Sequence, residues 1–207
     1  MLKANIETFL ACDASYEEAG IVLYGAPFDS TTSYRPGTRF GSRAIRSESY
    51  GLESYSPYQD RDLTDYAVFD AGDQELCFGD ASLALKDLRE RAAEVAGDGK
   101  IPFMLGGEHL VTLAPVQALA EKYPDLHIIH FDAHADLRED YLGVQYSHAC
   151  VLRRCWELLG DDRIYQFGIR SGDREEFRWA REGHVKMHKF NLDGLAEVIE
   201  KLQGKPV

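Results

Sequence analysis

The segment HIIHFDAHAD contains three side chains of types that can bind a metal, Asp132, His134 and Asp136, at positions i, i+2 and i+4. Side chains two residues apart on an extended strand project from the same face, so an extended segment would direct all three to one point. Two carboxylates beside an imidazole are unfavourable unless a cation neutralises them. The oxygen-rich donor set favours Mn, Fe or Mg over a thiolate zinc site, and we predict a divalent metal centre here. The alternative is that each aspartate is a helix cap or a turn residue.

A second candidate ligand, His109, is the last residue of the segment MLGGEH. The preceding predicted strand ends at Gly106 and Gly107, where glycine lets the backbone pass close to a site. If this strand neighbours the one before Asp132, both residues lie at the carboxyl edge of the sheet, where parallel sheets bind ligands. A histidine after two glycines can also be a capping or packing residue, and that alternative stays open.

The elements that must position these residues alternate along the chain. Short apolar runs bounded by Gly, Pro or Asp predict buried strands, namely Ile21–Tyr24, Tyr66–Phe69, Ile101–Leu105, His127–Phe131, Arg163–Gly168 and His184–Phe190. Longer segments with helical spacing predict helices, namely Ala81–Ala96, Leu110–Lys122, Ala149–Leu159, Arg174–Arg181 and Leu192–Leu202. Asp80 or Ser82 could cap the first helix. The alternation predicts an α/β fold whose mainly parallel sheet is covered by helices on both faces.

Residues 29–62 interrupt this alternation. They are rich in Ser, Tyr, Arg, Gly and Pro and have little periodicity. We interpret them as a long ordered loop with a short helix near Ala44. Long loops in compact domains tend to be functional.

Length and charge limit the classes of protein to which the chain can belong. Its 207 residues suffice for one domain, which we assign to 1–207. The net charge of −12 argues against nucleic acid as a partner, because nucleic-acid binding needs clustered Lys and Arg. It mildly favours a cationic substrate. No apolar run is long enough to span a membrane, and the N-terminus does not resemble a signal peptide.

The remaining histidines and the cysteines have simpler interpretations. We interpret four histidines in or near predicted strands as structural, namely His127, His130, His184 and His188. The four cysteines form no CxxC pair, which suggests free thiols and a cytoplasmic location. Cys150 and Cys155 are interpreted as core residues.

Several motifs in combination resemble the arginase/agmatinase family of ureohydrolases. They are GAPFDSTTSYRPGTRFGSRAIR (25–46), GGEH (106–109), FDAHAD (131–136), SHA (147–149) and QFGIRSGDREE (166–176), and the resemblance covers essentially the whole chain. It implies an arginase-like three-layer α/β/α fold with a mainly parallel sheet and two Mn(II) ions per subunit at the strand ends. Because the family commonly forms trimers or hexamers, a homo-oligomer is expected.

The resemblance also implies roles for individual residues. His109 and Asp136 would bind one manganese, His134 would bind the other, and Asp132 would bridge both. The pair would activate water for attack on the guanidinium carbon, which releases urea and an amine. His148 resembles the histidine that assists proton transfer in this family, a role that suits an imidazole. The alternative is that His148 merely begins a helix.

The loop Leu137–Ser147 bears on the substrate. It lacks the asparagine that arginases place after this metal motif to hold the amino-acid carboxylate. Glu139 and Asp140 would tolerate a cationic amine better than a carboxylate, unless both simply face solvent. The sequence resembles bacterial agmatinases more than arginases, which implies hydrolysis of agmatine to putrescine and urea in polyamine biosynthesis. The alternatives are another guanidino substrate, such as guanidinobutyrate or arginine, and a non-catalytic truncated remnant.

The family also carries an Asp-x-Asp motif on a later strand that supplies further metal ligands, and a downstream acidic residue that contacts the guanidinium. Neither is found in these 207 residues. We therefore expect the C-terminal strands and helices of the domain to be missing, and the 207-residue chain alone to be inactive.

Overall fold

The computed structural model describes residues 7–207. They divide into two compact units, one reaching Val111 and the other spanning Thr112–Val207. Each unit has its own three-stranded parallel sheet. The assignment of residues 1–207 to a single domain stays a prediction.

The first unit is built on a parallel sheet with the strand order β4-β1-β5. Its elements are β1 (Ile21–Ala26), α1 (Gly41–Ser49), β2 (Tyr55–Ser56), β3 (Arg61–Asp62), β4 (Val68–Asp73), α2 (Ala81–Gly97) and β5 (Ile101–Gly106). The central strand β1 is an apolar run that is buried along almost its whole length, as expected for a strand with a neighbour on each side. The three strands predicted for this unit are confirmed, and β4 begins two residues later than expected.

The ends of α2 follow from local chemistry. The Asp80 carboxylate accepts hydrogen bonds from the N–H groups of Ser82 (2.8 Å) and Leu83 (3.2 Å), so Asp80 is the cap and Ser82 is not. One face of the helix is buried and carries Ala84, Leu85, Leu88, Ala92, Val95 and Ala96. The segment 29–62, predicted as a loop with a short helix, contains α1 and the small antiparallel pair β2–β3.

The second unit has the strand order β6-β7-β8. Its elements are α3 (Leu113–Lys122), β6 (Ile128–Phe131), α4 (Val151–Leu159), β7 (Ile164–Ile169), α5 (Arg174–Arg181), β8 (Lys186–Lys189) and α6 (Leu195–Lys201). Short 3-10 turns, His109–Thr112 and His148–Cys150, lead into α3 and α4. The central strand β7 packs Tyr165 and Phe167 against Val198 and Leu202 in a buried cluster.

The strands before His109 and Asp132 belong to the sheets of different units, since β5 pairs with β1 and β6 pairs with β7. The condition under which both residues would lie at the edge of one sheet is therefore not met. The helix predicted from Leu192 begins only at Leu195, because the side chain of Asn191 accepts a hydrogen bond from the N–H of Asp193 and forms a turn.

All four cysteines are free, as predicted, and Cys77 is exposed while the other three are buried. In the part of the chain that the structure describes, no helix combines the length and the apolar character that a membrane crossing requires.

Candidate metal and catalytic site

The segment that carries the predicted ligands continues from the carboxyl end of β6. The strand itself ends at Phe131, but the N–H of Asp132 still donates to the carbonyl of Phe167 (3.1 Å). Two residues later, His134 forms a parallel bridge with Ser171. The chain bends at Ala133 between the two residues, so a turn and not the alternation of an extended strand brings their side chains together.

Asp136 departs from the expected pattern. Its backbone is left-handed, with a φ of 52°, so the alternation of an extended strand stops before it and the expected i, i+2, i+4 geometry is wrong at its last position. The carbonyl of Asp136 accepts hydrogen bonds from Leu152 (3.0 Å) and Arg153 (3.3 Å) in the first turn of α4. The chain turns here because those N–H groups need acceptors. Asp136 is buried in the structure.

The Asp132 carboxylate lies between two imidazoles. Its Oδ1 accepts a hydrogen bond from the backbone N–H of His134 (2.9 Å) and lies 3.4 Å from His134 Nδ1. Its Oδ2 lies 3.3 Å from Nε2 of His130. The side chain of His134 is 64% exposed, whereas His130 is buried. A carboxylate beside an accessible imidazole is a donor set that suits a divalent cation.

His130, which the sequence analysis interpreted as structural, lies beside the Asp132 carboxylate. Its second ring nitrogen, Nδ1, lies 3.1 Å from Nε2 of Gln166, which is fully buried on β7. His130 and Gln166 are register partners in the pairing of β6 with β7. No local pattern reveals this contact, since the two residues are 36 positions apart in the sequence.

Glu176 fixes the turn that follows the ligands. Its Oε1 accepts a hydrogen bond from the N–H of Leu137 (2.9 Å), and it forms a reciprocal capping box with Asp173 at the start of α5. Burial raises the pKa of Glu176 above its ordinary value, although hydrogen bonds from the N–H groups of Asp173 and Leu137 oppose the shift. The D-x-x-E spacing of Asp173 and Glu176 is the sequence signal that could have identified this residue.

His109, in the first unit, begins a 3-10 turn two residues after Gly107 and is partly buried. A Cβ at Gly107 would lie 2.4 Å from the carbonyl oxygens of Ala26 and Phe28, so only glycine fits there. Glu108 is buried and accepts hydrogen bonds from the backbone N–H (2.7 Å) and the hydroxyl of Thr31. These contacts hold the turn that presents His109 against the loop that begins at Asp29.

Asp29, at the start of that loop, contacts residues further along it. The carboxylate is buried and accepts hydrogen bonds from the N–H of Gly37 (2.6 Å) and from Nε of Arg39 (2.6 Å). The Arg39 guanidinium holds the pKa of Asp29 below its ordinary value. The segment between Asp29 and Arg39, which is the first part of the predicted loop 29–62, is therefore ordered.

His148 begins the 3-10 turn before α4, and its Nδ1 lies 3.3 Å from the hydroxyl of Ser147. The Tyr141 ring meets the imidazole edge-on at 5.5 Å between centroids. The position agrees with the helix-start interpretation and leaves the ring partly exposed, so a role in proton transfer stays a prediction.

An open cavity of about 570 Å³ adjoins the loop after the ligands and is lined by Asp140, Gly143, Val144, Gln145 and Tyr146. Asp140 also accepts a hydrogen bond from the N–H of Gly143 (3.0 Å), which fixes its carboxylate at the cavity wall. Of the two acidic residues considered for the substrate mouth, Asp140 lines this cavity and Glu139 is exposed outside its lining.

Comparison with known proteins identifies relatives across nearly the whole chain. The arginase family model matches residues 19–206. The agmatinase of Bacillus anthracis is 50% identical over 202 residues, which are 97% of this chain and 70% of the relative. The N(1)-aminopropylagmatine ureohydrolase of Thermococcus kodakarensis is 41% identical over 90% of this chain and 64% of its own.

The fold agrees with solved structures. The crystal structure of the agmatine ureohydrolase of Thermoplasma volcanium superimposes with a TM-score of 0.88 at 37% identity, covering 98% of this chain and 69% of that one. The arginase-like α/β architecture with mainly parallel sheets, predicted from the sequence, is confirmed.

Proposed function

Because the chain belongs to the arginase family of amidinohydrolases, we propose that the complete protein hydrolyses the guanidinium group of agmatine to putrescine and urea with two Mn(II) ions per subunit. The observation that carries the proposal is the Asp132 carboxylate beside the accessible His134 imidazole at the end of β6. The activity named for the 50% identical relative supports agmatine as the substrate.

We assign four ligands in the proposed centre. His109, Asp132, His134 and Asp136 would hold the two ions. When bound, such a pair makes a water molecule nucleophilic at neutral pH and polarises the group that it attacks. The carboxylates of the site offset the charge of the cationic guanidinium, and His148 moves a proton to the departing amine.

We also propose a cytoplasmic location and a homo-oligomeric assembly, a trimer or a hexamer. Free thiols and a net charge of −12 support the first of these. The proposed assembly follows from the trimers and hexamers that the family commonly forms. Neither nucleic acid nor a membrane is proposed as a partner.

Agmatine is expected to be the preferred guanidino substrate. Asp140 at the cavity wall favours the distal ammonium of agmatine, whereas the carboxylate of arginine or guanidinobutyrate would face this acid without a partner. Urea release should be measured with the three compounds, and we expect the highest kcat/KM for agmatine. Asp140→Asn should reduce the difference in kcat/KM between agmatine and the other two compounds. A preference for arginine or guanidinobutyrate in the unsubstituted protein would contradict the agmatine assignment and leave the fold and the metal ligands standing.

Replacement of His148 by alanine is expected to lower kcat by about 10²–10⁴-fold, the usual contribution of a general acid or base, while the manganese content stays unchanged. Metal analysis and steady-state kinetics on the same sample measure both. His184→Ala is the matched control, because His184 is hydrogen-bonded to Asp161 (2.9 Å) and has no proposed role. An unchanged kcat for His148→Ala would return this residue to the helix-start interpretation.

A further inference from the structure

A buried amide and a buried imidazole stand behind the Asp132 carboxylate. Gln166 is fully buried on the central strand β7, and its Nε2 lies 3.1 Å from His130 Nδ1. His130 is 7% exposed, and its Nε2 lies 3.3 Å from Asp132 Oδ2. The three side chains therefore form a continuous series, Gln166 to His130 to Asp132, that runs from the interior of the second unit to the proposed ligand.

The orientation of the Gln166 amide follows from a third partner. The same Nε2 lies 2.8 Å from the backbone carbonyl of Ala135. A carbonyl oxygen can only accept a hydrogen bond, so the group that faces it must be the NH₂ and not the oxygen of the amide. One proton of this NH₂ goes to Ala135 and the other goes to His130.

The amide in turn determines where the imidazole carries its proton. An NH₂ group only donates, so Nδ1 of His130 must be the acceptor. A neutral imidazole with an accepting Nδ1 carries its proton on Nε2. That N–H faces Oδ2 of Asp132 and donates to it, while Oδ1 is held by the N–H of His134. Both carboxylate oxygens are thus oriented by donors from the second unit.

We propose that Gln166 and His130 are positioning residues that orient the Asp132 carboxylate for the metal pair, and that His130 is not itself a metal ligand. This inference rests on the proposed function. Hydrogen-bond partners behind a metal ligand fix its direction, and their removal typically weakens metal binding by about 10–100-fold. Because the proton of His130 occupies Nε2 and the Gln166 amide occupies Nδ1, neither ring nitrogen offers a lone pair to a metal.

The tautomer can be measured without metal. Long-range ¹H–¹⁵N spectra of the histidine-labelled, metal-free protein should show His130 protonated on Nε2, with its signals identified by their loss in His130→Gln. Gln166→Leu removes the donor to Nδ1 and should let the other tautomer appear. A proton on Nδ1 of His130 in the unsubstituted protein would overturn the inference.

Manganese affinity tests the consequence for the site. Calorimetric titration of Mn(II) into the metal-free protein should give about 10–100-fold weaker binding for His130→Phe and Gln166→Leu, with the number of bound ions unchanged. His130→Gln retains an NH₂ close to the position of Nε2, so its affinity should lie nearer that of the unsubstituted protein. His127→Phe is the matched control, because His127 is also buried and stacks on Tyr165, and it should leave the affinity unchanged.

The possible results of these measurements distinguish failure of this inference from failure of the proposed metal centre. Loss of one bound ion in His130→Phe would identify His130 as a ligand and overturn the inference. Unchanged affinity in both His130→Phe and Gln166→Leu, or equal weakening in His130→Gln and His130→Phe, would also overturn it. If the unsubstituted protein binds no Mn(II), the proposed metal centre fails, and the tautomer measurement still decides whether Gln166 orients His130.

Discussion

Asp132→Asn is expected to remove manganese binding and urea production together. The substitution keeps the size of the side chain but replaces an anionic oxygen that would bridge both ions with an amide. A metal pair contributes several kcal/mol of transition-state stabilisation, so we expect kcat/KM for agmatine to fall by about 10³-fold or more. Manganese content by metal analysis and urea release should be measured on the same preparation.

Asp162→Asn is the control for this variant. Asp162 belongs to the same unit and is largely exposed, and its carboxylate pairs with Lys186 (2.7 Å). Because exposed ion pairs contribute little, the control should retain both metal and activity. If Asp132→Asn keeps its full manganese content, Asp132 is not a ligand and the proposed centre is wrong.

Arg46→Leu is expected to cause the largest loss of stability in the first unit. Arg46 is buried on α1, and its guanidinium donates to both carboxylate oxygens of Asp70, from Nε (2.8 Å) and Nη2 (2.9 Å), and also to Asp73. The Asp70 side chain is fully buried. Leucine would leave that buried carboxylate with its backbone N–H donors, Phe9 and Gly72, but without the guanidinium charge, which costs roughly 3–5 kcal/mol of the free energy of unfolding.

Urea denaturation followed by circular dichroism measures this change, and two further variants make the test specific. Arg46→Lys keeps the charge but loses the planar fork that bonds both oxygens, so its stability should lie between those of Arg46→Leu and the unsubstituted protein. Arg43→Leu lies on the same helix with a side chain that is 79% exposed, and its effect should stay within about 0.5 kcal/mol. Equal losses for Arg43→Leu and Arg46→Leu would show that the buried ion pair is not the cause.

Features that depend on neighbouring residues were predictable from the sequence. The spacing of apolar residues predicts strands and helices. Every predicted element is present in the structure, and its ends differ from the predicted ones by a few residues. The Asp80 cap depends on a single residue's preference and lies at one of the two expected positions. The closeness of Asp132 and His134 was predictable because they are two positions apart, although a bend at Ala133 and not strand alternation brings them together.

The sequence by itself therefore determined the α/β architecture, the elements that carry the ligands and the family to which the chain belongs. Only the tertiary structure decided which distant partners hold the predicted ligands, the turn that follows them and the buried charges. The pairing register of β6 and β7 brings Gln166 to His130, the start of α5 brings Glu176 to Leu137, and the packing of α1 brings Arg46 to Asp70. The left-handed turn at Asp136 likewise arises from the N–H groups of a helix that begins fifteen residues later. Each of these partners is distant in the chain, and a buried polar group must find its partner wherever the fold supplies one, so no local pattern could have revealed them.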